Sequence, residues 1–135
     1  MSMFELQFPD LMRVTAAEAE FYSPEPGLLR RVLAHNDKMM LVEHRMERTW
    51  VGTRHSHPHD QMVYVIKGRL RFSCGDEREF EAGEGDSFVL KGGIEHSAFA
   101  LEPAVVLDVF TPYRADYVGA GRTGGKQPHG QDRDS

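Results

Sequence analysis

Turn-forming residues divide the stretch from Leu28 to Tyr117 into short apolar runs, and that cadence limits what the chain can fold into. Leu28 to His35 is followed by the hairpin-prone pair Asn36-Asp37 and then by Met39 to Met46. Gln61 to Ile66 runs into Gly68, Arg69 to Cys74 ends at Gly75-Asp76, and Glu77 to Glu81 ends in Ala82-Gly83-Glu84-Gly85-Asp86. Ser87 to Leu90 precedes Gly92-Gly93, and the series closes with His96 to Leu101, the Pro103 turn and Val105 to Phe110. Turns at a spacing of roughly 8–12 residues are those of a sandwich or barrel. No stretch sustains a 3.6-residue period for three turns. The reading is all-β, with about eight or nine strands.

The flanks differ from this middle. Residues 1–27 read as an N-terminal arm, in which Thr15 to Tyr22 suits a short helical turn stopped by Pro24 and Pro26. Residues 118–135 read as a disordered Gly-rich tail: from Gly119 onward there are five glycines, one proline and no apolar residue larger than alanine. His129, alone in that tail, is given no role. A 135-residue chain has room for one domain, here the barrel of residues 28–117, and can fold without a stapling disulfide. One cysteine, Cys74, excludes an internal disulfide and fits a reducing compartment. The longest apolar run, Met62 to Ile66, is five residues, so no membrane span is read. Met1 to Leu11 lacks a basic segment followed by an apolar one, so no secretory signal is read either, and a cytoplasmic location is expected. A net charge of −5 argues against nucleic acid as a partner.

Three of the seven histidines crowd into His55-Ser56-His57-Pro58-His59. On a strand, His55 and His57 point to one side, Gln61 opens the next strand with matching parity, and His96 begins a later strand that can return alongside. Two imidazoles at i, i+2, a third from a partner strand and a side-chain amide oxygen suit a divalent first-row metal with positions left for water or substrate. The bland reading is a histidine-rich surface strand. His59, after Pro58, belongs beside the bend, and His35 and His44 read as satisfied structural histidines.

These residues carry a resemblance. His55-x-His57-x3-Gln61-x6-Gly68 resembles the first cupin motif, and Gly85-x5-Lys91-x-Gly93-x2-His96 resembles the second. The fold implied is a single-domain cupin, a jelly-roll β-barrel with flexible termini. Three positions depart from the usual pattern: Gln61 replaces a glutamate, Lys91 a proline, and Thr49 the glycine six residues before His55. The neutral Gln61 removes a negative charge from the ligand set and leaves a bound cation more Lewis acidic.

Val32 to Met40, His55 to Met62, Tyr64 to Gly68 and Leu107 to Pro112 with Arg114 resemble the KdgF family of pectin-degradation cupins, which share the unusual glutamine. That likeness implies conversion of a cyclic 4,5-unsaturated uronate into a linear ketone. It implies a divalent transition metal (nickel, iron, zinc or manganese) on His55, His57, Gln61 and His96, a sugar acid as substrate, and a homodimer. It also gives substrate or catalytic roles to Asp108, Phe110 and Arg114. On physical grounds Asp108 interrupts an apolar strand on the face of Val106 and Phe110: it is an inward carboxylate suited to acid–base work or an outward charge blunting a sheet edge. Arg114 is a carboxylate grip or a surface arginine. A small cupin dioxygenase and a non-catalytic ligand-binding cupin remain as alternatives. Cys74 reads as packing, Met39, Met40, Met46 and Met62 as gap-fillers of core or interface, and Trp50 and Tyr64 as residues of a dimer surface.

Overall fold

Period-two burial dictates the architecture. Across Ala104–Thr111 the side chains of Ala104, Val106, Asp108 and Phe110 are buried and those between them are half-buried. Across Asp60–Lys67, Gln61, Val63 and Val65 are buried between exposed Met62, Tyr64 and Ile66. Strands with one dry face must stack as two sheets. The computed structural model describes residues 8–76 and 78–119. Its strands in chain order are β1 (Tyr22–Glu25), β2 (Leu28–His35), β3 (Met40–Met46), β4 (Val51–His55), β5 (Asp60–Lys67), β6 (Arg69–Cys74), β7 (Arg78–Gly83), β8 (Ser87–Leu90), β9 (His96–Ala100) and β10 (Ala104–Thr111). One antiparallel sheet has the order β1-β2-β3-β10-β5-β8, the other β4-β9-β6-β7. This is the expected all-β jelly roll, and the strands read from the turn cadence form within two residues of their expected ends.

Upstream of Leu28 the chain also pairs: Tyr22 of β1 lies opposite Arg30 of β2. Pro24 is tolerated there because β1 is an edge strand, where a missing N–H breaks no ladder. The helical turn expected near Thr15 is a single turn at Ala16 to Glu18. It closes reciprocally, Thr15 N donating to Glu18 Oε1 at 2.9 Å and Glu18 N to Thr15 Oγ1 at 3.4 Å. Beyond β10 a cis Thr111–Pro112 bond leads to a short 3-10 turn, Ala115–Tyr117. The expectation of a disordered tail falls on residues 120–135, outside the described residues. Among the described residues no helix is long and apolar enough to cross a membrane.

Leu28, Met46, Trp50, Val63, Val65, Leu70, Phe72, Ala82, Ala100 and Val106 fill one end of the interior. Trp50 is thus a core residue and not a dimer-surface residue. It is 6% exposed, and its indole donates to Glu25 Oε2 at 2.8 Å, which satisfies the one polar atom it buries. Cys74 packs against the same cluster, as expected. Thr49, in place of the family's glycine, has φ 70°, a left-handed conformation that costs an L-residue about 1–2 kcal/mol.

Candidate metal centre

Three short segments bring the imidazoles together. β4 delivers His55 at its end, and His55 pairs across the sheet with His96 at the start of β9. His57 lies just past β4, in the loop before β5, so the two motif histidines do not both sit on a strand as the spacing suggested. The loop is pinned instead by the turn after β8. Gly93 N donates to His57 O at 2.8 Å, and Gly92 N donates to Asp60 Oδ1 at 2.8 Å. A Cβ at Gly92 would collide with Pro58 O, so only glycine lets the second motif's turn close on the first motif's loop.

One ring nitrogen from each of His55, His57 and His96 lies within 4.8 Å of the other two. Each ring offers Nδ1 to a backbone carbonyl: His55 to Thr53 O at 2.8 Å, His57 to His59 O at 3.1 Å, His96 to Ile94 O at 3.0 Å. Donation through Nδ1 leaves Nε2 as a bare lone pair on His55 and His96, while Nε2 of His57 faces Gln61 Oε1. The Nε2 atoms of His55 and His96 are buried with no hydrogen-bond partner. Burial, reinforced by mutual repulsion with His96 and His57, pushes His55 down to about 4. Burial and the Arg114 charge do the same to His57, also to about 4, and burial lowers His96. Neutral rings with converging lone pairs are the electronic state that a metal ligand needs.

Gln61 lies beside the triad. Its Nε2 donates to Asp108 Oδ1 at 2.9 Å, which turns Oε1 toward His57 Nε2 at 3.0 Å. A His57 ring protonated on Nε2 donates to that oxygen, and one protonated on Nδ1 leaves nitrogen and oxygen facing a cation position together. Turning the amide over would set its oxygen against the Asp108 carboxylate, a clash. The orphaned nitrogens and this oxygen fit a divalent metal with N,N,N,O donors. A 30 Å³ cavity runs between this site and the apolar core, with His44, His55, Gln61, His96 and Asp108 lining it together with Met46, Trp50, Val63, Phe72 and Val106. A 510 Å³ cavity between the arm and β2 lies apart from these residues.

Asp108 faces inward and is 3% exposed, so the outward alternative is wrong. Phe110 is fully buried, its ring edge-on to His57 at 5.7 Å. Arg114 is not a surface arginine: it is 1% exposed, its guanidinium lies 4.2 Å from the Tyr117 ring and 5.0 Å from that of Phe110, and Nε and Nη2 grip Asp116 at 3.0 and 2.8 Å. His59 touches His57 through its carbonyl and stays outside the triad, as expected beside the bend. His35 stacks on Tyr113 as a structural histidine.

His44 is satisfied, as expected, but its partners belong to the site: Nδ1 meets Asp108 Oδ2 at 2.6 Å and Nε2 accepts from Arg30 Nε at 2.9 Å. Arg30 carries no motif and no spacing that marks it for the site. Two signals bear on it: Met40, Val42, His44 and Met46 share the inward parity of β3, and the hairpin at Asn36-Asp37 sets Arg30 of β2 directly opposite His44.

Residues 42–110 match the cupin domain family. The chain belongs to the cupin family, as the jelly roll and its histidine triad already indicated. It is 30% identical over 94 residues to the pectin degradation protein KdgF of Dickeya dadantii (strain 3937), covering 68% of this chain and 84% of that protein. Among solved structures it is similar to KdgF from Halomonas sp., at 35% identity and TM-score 0.74, over 79% of this chain and 98% of that one. It is also similar to an RmlC-like cupin from Shewanella frigidimarina NCIMB 400, at 27% identity and TM-score 0.75, over 81% and 97% of the two chains.

Proposed function

We propose that this cupin is a metal-dependent isomerase of pectin or alginate breakdown, which opens the ring of a cyclic 4,5-unsaturated uronate and converts it to the linear 5-keto form. The observation that carries this reading is a buried carboxylate, Asp108, hydrogen-bonded to the candidate ligand Gln61; the similarity to two KdgF proteins supplies the substrate class. In the reaction the O–H proton of the C1 hemiacetal leaves, the bond from C1 to the ring oxygen breaks, and an aldehyde forms at C1. The electron pair on the former ring oxygen is that of an enolate at C5, and protonation at C4 gives the ketone, so atoms balance without oxidant or water.

A divalent transition metal on His55, His57, His96 and Gln61 would supply Lewis acidity toward the oxygen that gains charge. Asp108 takes the proton from O1–H and returns it to C4, a general acid–base role. Arg114 receives the substrate carboxylate on the face that Asp116 now occupies, one carboxylate exchanging for another on the same fork. Phe110 and the Tyr117 ring beside Arg114 exclude water.

Exposed Met62, Tyr64, Ile66 and Val89 on the outer face of β5 and β8 support a homodimer, testable by sedimentation. The unpaired, half-buried Cys74 supports action in the reducing cytoplasm. The deciding test supplies lyase-derived unsaturated uronate to purified protein and follows loss of the conjugated double bond by ultraviolet absorbance and NMR. A mass-neutral 5-keto product supports the proposal. Oxygen uptake during turnover would favour a dioxygenase, and binding without turnover a ligand-binding module.

A further inference from the structure

Arg30 is a costly residue to bury. It is 1% exposed, it lies in the interior-facing row of β2, and no described carboxylate pairs with it directly. Its guanidinium lies 3.7 Å from the Tyr117 ring, its Nη1 reaches Tyr22 Oη at 3.3 Å, and its Nε donates to His44 Nε2 at 2.9 Å. An apolar side chain would fill this position at less desolvation cost, so the fold alone does not explain it.

The direction of each hydrogen bond along the line that starts there is fixed. Arg30 can only donate. His44 Nε2 must therefore accept, so the neutral ring carries its proton on Nδ1 and donates it to Asp108 Oδ2 at 2.6 Å. The other oxygen of Asp108 is thereby left to accept from Gln61 Nε2 at 2.9 Å. That contact decides which end of the Gln61 amide points at the triad, and the oxygen points there.

We propose that Arg30 and His44 are positioning residues that act through Asp108 to hold the Gln61 amide oxygen, and not its nitrogen, toward the metal position. The inference rests on the metal reading of the triad and deepens it, but it does not depend on the uronate reaction. The carboxylate is held by two donors on opposite sides, and removing one lets it turn away from Gln61. The amide then loses its orientation, and its NH2 end, which cannot ligate, competes for the same place. Partners that orient a ligand in this way are worth about 10–100-fold in metal affinity.

The test uses the full chain with Zn²⁺ by chelator competition and with Co²⁺ by visible absorption, and needs no substrate. His44→Phe should weaken Zn²⁺ binding by about 10–100-fold and shift the Co²⁺ bands. His44→Asn, whose amide nitrogen sits near the Nδ1 position, should recover most of that loss. Gln61→Ala should cost a similar factor, and the double variant with His44→Phe little more than either alone, since both remove one oxygen from the metal. In the wild type, ¹⁵N NMR should find His44 protonated on Nδ1. Wild-type affinity in His44→Phe, full additivity with Gln61→Ala, no recovery in His44→Asn, or an Nε2–H tautomer would each overturn the inference. If His44→Phe does not fold by circular dichroism, Arg30→Met takes its place, with a loss of about tenfold expected and wild-type affinity overturning the idea. His96→Ala separates the two levels: if that variant binds as tightly as wild type, the metal reading itself has failed.

Discussion

The two ends of the barrel interior are equally dry and differently held. At one end Leu28, Trp50, Val65, Leu70, Phe72 and Ala100 pack against one another, and any of them could shift slightly without changing the chemistry. At the other, Arg30, His44, Asp108, Gln61 and His57 form a directed line of contacts between 2.6 and 3.0 Å that ends among imidazole nitrogens. The same strands build both: β10 contributes Val106 to the first and Asp108 to the second, β5 contributes Val65 and Gln61. Apolar packing is non-directional and stabilises by area. The polar line stabilises only if every member is satisfied, and Nη2 of Arg30 at its start, like Nε2 of His55 and His96 beside its end, has no hydrogen-bond partner. One end is therefore held by buried area, and the other by the direction of each contact around Asp108 and Gln61.

That division can be broken by experiment. At the polar end Asp108→Ala should leave one metal ion per chain at saturating metal, because three imidazoles still converge, while uronate turnover falls by about 10²–10⁴-fold. Unchanged turnover would remove Asp108 from the mechanism. At the apolar end Leu70→Ala, at a fully buried position, should cost about 2–5 kcal/mol in urea unfolding and leave metal stoichiometry as it was. Loss of metal in that variant would mean that the two ends are not separable.

A smaller effect lies outside both ends, in the exposed turn between β3 and β4. Thr49→Gly relieves a left-handed backbone and should stabilise the fold by about 1 kcal/mol with no change in turnover. A drop in melting temperature would show that Thr49 is held by contacts worth more than its strain. The smallest effect concerns acid. Burial alone would raise the Asp116 carboxyl, but the Arg114 fork outweighs it and holds the group below its ordinary 3.8. A depressed acid stabilises above its unfolded value, and the contribution fades as pH falls below 3.8 through the lower folded value. Asp116→Asn should flatten that limb of the stability curve, and identical acid limbs in the two proteins would deny the pair any such contribution.

Much of this was readable from residues alone, for a definite reason. Turn residues and period-two alternation are local, so the strands and their inward faces could be written down, and Asp108 could be put on the face of Val106 and Phe110. The convergence of His55, His57 and His96 followed from spacing. What failed was whatever depends on a partner far along the chain. Trp50 read as a surface aromatic because nothing near it in sequence shows Glu25 waiting for its indole. His44 read as a bystander because its partners are 14 residues back and 64 residues on.

Thus the sequence by itself determined a two-sheet barrel with histidines gathered at one end, since strand, turn and parity are properties of neighbours. Only the tertiary structure decided which way each proton points between Arg30 and Gln61. That choice is made where β2, β3, β10 and β5 meet side by side, and hydrogen-bond direction exists only once donor and acceptor are face to face.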